Sequence, residues 1–131
     1  MLRIERYFAH IQSIIETCPV VQTFSITYDK RSTYEGYIHG EIIFADESCL
    51  HLREFVDVEA GVDRLTYVYQ YMSVVQALVF RYDNTGHHRK FKLSTYPHHK
   101  HDGSEDKVIA APAPELATVL QEIQTLMTLP A

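Results

Sequence analysis

Apolar positions along the chain change period from helical to alternating and back. Over residues 2–17, Leu2, Tyr7 or Phe8, Ile11, Ile14 and Ile15 recur at spacings near three and four. Arg3, Glu5, Arg6, Gln12 and Glu16 lie off that stripe, so the segment predicts an amphipathic helix. Pro19 stops it, because the residue before a proline avoids helical angles. Over residues 20–29 the period becomes two, with Phe24, Ile26 and Tyr28 alternating with Ser25 and Thr27. Residues 34–45 give the clearest strand. Tyr34, Gly36, Ile38, Gly40, Ile42 and Phe44 make one face, and Glu35, Tyr37, His39 and Glu41 make the other. Two glycines on an apolar face need a reason, either a helix packed close or a bend in the sheet.

Residues 49–58 return as a strand with Leu50, Leu52, Glu54 and Val56 on one side, where Glu54 is a carboxylate on an otherwise apolar face. Residues 64–73 place Leu65, Tyr67, Tyr69 and Tyr71 together, as expected of a packed sheet whose hydroxyls reach partners. Residues 77–83 set Leu78, Phe80 and Tyr82 against Ala77, Val79, Arg81 and Asp83. Residues 91–96 offer a further short strand before Pro97. Asp102–Asp106 reads as a loop and Val108–Ala111 as a brief extended piece. Pro112-Ala113-Pro114-Glu115 opens a last helix with Leu116, Val119, Leu120, Ile123, Leu126 and Met127 as its buried stripe. Helix, hairpin-linked strands, helix is the order of a single α+β domain. It predicts an antiparallel meander of about five strands with both helices packed on one face.

The chain has 131 residues, 46% of them hydrophobic and 22% charged, a normal soluble globular composition for one domain. No apolar run is long enough for a membrane span, and the first residues offer no signal-peptide core, which points to the cytoplasm. Cys18 and Cys49 form no disulfide framework and no zinc knuckle, and are expected as thiols.

Charge singles out residues 81–101. The chain carries −5, yet this stretch carries about +4 with neutral histidines, leaving −9 for the rest. It also holds five of the eight histidines: His87, His88, His98, His99 and His101. A local sign reversal in an acidic protein suggests an anion site, and histidine changes charge near neutral pH.

Tyr69-x-Tyr71, Phe80-Arg81-Tyr82-Asp83-Asn84, His87-His88 and Tyr96-Pro97-His98-His99-Lys100-His101 together resemble the TumE-like family of small bacterial and archaeal toxins. The Gly36…Gly40 strand, Glu54-Phe55 and the leucine-rich last helix fit the same pattern, and Gly86 stands where that family usually has proline. The resemblance implies the toxin of a two-gene toxin–antitoxin module, with a small DNA-binding antitoxin as partner. It brings no reaction with it, so the chemistry rests on the residues.

Arg81 and Asp83 project together from one strand face, either as a fixed ion pair or as a phosphate clamp with a carboxylate orienting a histidine. The histidine cluster has three readings. It is a solvated basic loop; or a metal site, with His99 and His101 facing one way and Asp83 or His87 as third ligand; or the centre of metal-free RNA cleavage. In the last, favoured here, one histidine takes the proton of a ribose 2′-hydroxyl and another protonates the leaving 5′-oxygen. Arg81 and Lys100 stabilise the phosphorane, and their positive charge opposes a bound cation. Neither metal nor cofactor is then required. The expected catalytic set is Arg81, Asp83, His87, His98, His99 and His101, with Arg81, His101 and one of His98 or His99 essential and His88 dispensable. Lys100, Tyr69, Tyr71 and Glu54 are expected at the substrate or behind it. For the tyrosines the competing reading is sheet packing, and for Glu54 a pair across the sheet. A non-catalytic module whose histidine loop docks a partner or holds a metal is the other class. The sequence leaves the oligomeric state, homodimer included, open.

Overall fold

The computed structural model describes residues 2–84, 98–104, 108–110 and 113–128. His87, His88, Pro97 and the expected short strand over 91–96 lie outside the described residues. Helix α1 spans Ile4–Glu16 and helix α2 Leu116–Thr128. Between them run β1 (Val21–Lys30), β2 (Glu35–Phe44), β3 (Cys49–Asp57), β4 (Asp63–Met72), β5 (Leu78–Asp83), β6 (His99–Asp102) and β7 (Val108–Ala110). All seven pair antiparallel with their neighbours in chain order, so the sheet is a simple meander. The architecture is the expected one, with more strands than the alternation showed. β6 corrects a loop assignment: His-Lys-His-Asp has no apolar alternation, and its strand character comes from pairing with β5.

Both helices cover one face. Ile4, Tyr7, Ile11 and Ile15 of α1 are buried, as are Leu116, Val119, Leu120 and Ile123 of α2. They meet a floor set by strand register, including the row Ile42–Leu50–Tyr71–Phe80. The two glycines of β2 have separate causes. A Cβ at Gly36 would sit 2.4 Å from the ring of Phe8 and 2.7 Å from Ile4, so α1 packs directly on that backbone. A Cβ at Gly40 would sit 2.1 Å from the Ser25 carbonyl oxygen, and its φ of +154° is one that L-residues rarely adopt. Tight turns join the strands. Ser48 N–H donates to Asp46 Oδ1 at 3.0 Å, with Glu47 at a positive φ of 69°. Among the described residues no helix is long and apolar enough to cross a membrane.

Candidate functional site

Among the described residues, the second face of the sheet carries no helix contact, and it reads as two largely polar rungs across the strands. Antiparallel partners share a face, so register alone aligns Glu41–His51–Gln70–Arg81–His101 in one rung. The adjacent rung is His39–Arg53–Val68–Asp83–His99. A groove of about 640 Å³ runs over this face, lined in part by His39, Glu41, His51, Arg53, Gln70 and Arg81.

The two rungs end on β5 and β6 in a block of four side chains around one carboxylate. Asp83 Oδ1 lies 2.8 Å from His99 Nε2. Asp83 Oδ2 is ion-paired with Arg81 Nε at 2.9 Å and lies 3.6 Å from His101 Nε2. The two imidazoles meet edge to face, with ring centroids 5.0 Å apart. Asp83, His99 and His101 are buried, whereas the Arg81 side chain is 26% exposed and reaches the groove, within 3.5 Å of Gln70 Oε1. The Asp83, His99 and His101 donor atoms all fall within 4.8 Å of one another, which also makes them a possible ligand set for a metal ion. Such a cation would share Asp83 with the Arg81 guanidinium.

The other described candidates from the sequence point to the helix-covered face. His98 Nδ1 lies 2.9 Å from the Tyr67 hydroxyl, and its ring stacks on Tyr67 at 11°. Burial, helped by Arg64 and His99, holds the His98 pKa below the usual histidine value. Lys100 is ion-paired to Glu122 at 2.9 Å and lies over the rings of Phe80 and Tyr82, so it does not join Arg81. Tyr82 donates to the same Glu122 at 2.6 Å, fastening α2 to β5 and β6. Tyr71 donates to Ser48 Oγ at 2.8 Å. Glu54 is buried and accepts from the hydroxyls of Tyr7 and, at 2.5 Å, Tyr69. Among the described residues its partners are thus tyrosines from the sheet and from α1, and not a histidine. Burial is the largest influence on Glu54 and raises its pKa despite these donors. Arg64 donates to Tyr69 at 2.9 Å and also to the Pro114 carbonyl, tying the approach to α2 to the sheet.

Of the histidines proposed from sequence, the structure brings His99 and His101 together with Arg81 and Asp83, and sets His98 apart. The groove residues His39, Glu41, His51, Arg53 and Gln70 were not singled out. Their signal was strand parity: the polar odd positions of residues 35–41 face the odd positions of residues 49–57 once the hairpin register is drawn.

The family model described as Toxin TumE matches residues 11–127 of the chain. No match is found among curated proteins or among solved structures.

Proposed function

From the premise that the chain belongs to the TumE toxin family, we propose that it is a metal-independent RNA-cleaving toxin whose reaction centre is the Arg81–Asp83–His99–His101 block. A toxin of this kind is paired with an antitoxin, here proposed to be a DNA-binding protein, and acts in the cytoplasm when that partner is lost. The observation that carries the reading is one buried carboxylate joined to a guanidinium and two imidazoles at the edge of a polar groove. Arg81 and Arg53 present guanidinium groups to an RNA backbone lying in that groove. Asp83 fixes the orientation of both histidines and of Arg81. One imidazole removes the 2′-hydroxyl proton, the oxygen attacks phosphorus, and the second imidazole protonates the departing 5′-oxygen. The products are a 2′,3′-cyclic phosphate and a 5′-hydroxyl. Each proton transfer contributes about 10²–10⁴-fold. The reading requires RNA binding to expose both imidazoles, since His99 is only 1% and His101 only 2% accessible in the free chain. Glu54, Tyr69, Tyr71 and Lys100 act through sheet packing in this scheme.

Purified protein incubated with total RNA tests it. Cleavage leaving 2′,3′-cyclic ends is expected, unaffected by chelator, and lost in His101→Gln and Arg81→Ala with the fold intact by circular dichroism. Full toxicity of both folded variants would refute the assignment. A second reading follows from the closeness of the Asp83, His99 and His101 donor atoms, which also suit a metal-holding module that docks a partner protein. Loss of activity in chelator, restored by zinc, would favour it. The Arg81 guanidinium on Asp83 favours the metal-free scheme.

A further inference from the structure

We infer that Glu41, Cys49 and His51 form a binding site for a divalent transition ion of the zinc type, in the wall of the groove and separate from the Asp83 block. Glu41 on β2 faces His51 on β3 across the ladder, and Cys49 precedes His51 by two residues, so all three project from the helix-free face. Cys49 Sγ lies 3.8 Å from Glu41 Oε2 and 3.7 Å from His51 Nε2. His51 Nδ1 lies 3.8 Å from Glu41 Oε2. One donor atom from each falls within 4.8 Å of the other two. Ligands held at about 2.0–2.3 Å around a tetrahedral zinc are roughly 3.5 Å apart, so an ion draws donor atoms now within 4.8 Å of one another inward by up to about an ångström.

The donor set chooses the metal. Sulfur and imidazole disfavour magnesium and calcium, which take oxygen ligands, and favour a borderline ion such as zinc or cobalt. Three protein ligands leave a fourth position open toward the groove. Cys49 is buried, while Glu41 and His51 are about half exposed, so the ion has a path in. Among the described residues, the polar contacts of these three side chains are with one another. A relay from thiol through His51 to Glu41 is disfavoured by the same geometry, because Glu41 touches the sulfur itself. Gln70 and its strand stand between this site and Arg81, a separation of two strand spacings, or roughly 10 Å.

The test is titration of the tag-free full chain with Co²⁺, read in the thiolate-to-cobalt charge-transfer band, which histidines alone cannot produce. Saturation at one ion per chain is expected, with displacement by Zn²⁺ and a higher melting temperature in Zn²⁺. Cys49→Ser should abolish the band, and His51→Ala should weaken binding by about 100-fold or more. Cys18→Ser and His99→Ala should retain the band. Absence of the band in folded protein would overturn the site, as would a band that survives Cys49→Ser. So would metal affinity that falls in His99→Ala and not in Cys49→Ser, because the ion would then belong to the Asp83 block.

Discussion

Glu54 and Asp83 are both buried carboxylates, and their surroundings give them opposite tasks. Asp83 sits against a guanidinium and two imidazoles, so its charge is compensated. Asp83→Ala leaves two buried imidazoles and a partly exposed guanidinium without their carboxylate and should cost about 3–5 kcal/mol of stability, measured by urea unfolding. Glu54 has two tyrosine hydroxyls and an arginine one residue removed, and burial still raises its pKa. An acid whose pKa is raised on folding adds stability below its unfolded value of 4.5, and that stability is lost as pH rises through the raised value. The unfolding free energy of the native chain minus that of Glu54→Gln should therefore fall as pH is raised from about 4 toward neutrality. Urea titrations over that range check it, and a flat difference would mean that Glu54 keeps an ordinary pKa. The misfit of Glu54 was visible in strand parity. Its partner Tyr7 was not, because it comes from a helix 47 residues away in sequence. Arg81 and Asp83 were legible as a pair, and His99 and His101 as residues facing one way. That all four meet depended on β6 pairing with β5, which the sequence pattern gave no sign of.

At the level of elements, alternation was enough for the long strands and failed for the short polar ones. β2 to β5 fall within a residue or two of their expected bounds because each has a run of apolar residues alternating on one face. β6 has only four residues, all polar, two of them buried histidines that a hydrophobicity pattern counts as exposed. Of the two glycines in β2, Gly36 fulfils the expectation of a helix packed close, whereas Gly40 has a different cause, the backbone of β1 against the position of its missing Cβ. The obstacles differ in kind, which ranks the substitutions. At Gly36 the new methyl meets side chains that can rotate, so Gly36→Ala should cost about 1–3 kcal/mol. At Gly40 it meets the backbone of Ser25 and Ile26, which cannot rotate away. Gly40→Ala should therefore be the more destabilising in thermal melts and should weaken hydrogen-exchange protection along β1. The reverse order would show that the sheet flexes at Gly40 more easily than α1 shifts at Gly36.

At the scale of the whole molecule, the sheet separates a helix-packed face from a polar one. One face of the sheet is spent on α1, α2 and the tyrosine-rich floor, and the other presents two polar rungs. Net charge alone would repel a nucleic acid from a chain of −5, so the proposed RNA binding would require a local array that overcomes the average field. On the helix-free face that array contains Arg53 and Arg81, whereas Lys100 is committed to Glu122 on the other side. Proximity in sequence put Lys100 beside the histidines, and strand alternation turned it away. This partition predicts how binding responds to salt. Each single-stranded phosphate contact contributes about 0.7 to the slope of log affinity against log salt. Arg53→Ala and Arg81→Ala should each flatten that slope by roughly 0.7 for single-stranded RNA, and Lys100→Ala should leave it unchanged. Fluorescence anisotropy over a range of salt concentrations measures all three, using the His101→Gln background to prevent cleavage. A slope that drops with Lys100→Ala and holds with both arginine variants would place the RNA on the helix-covered side. The Asp83 block would then be a structural feature of the sheet.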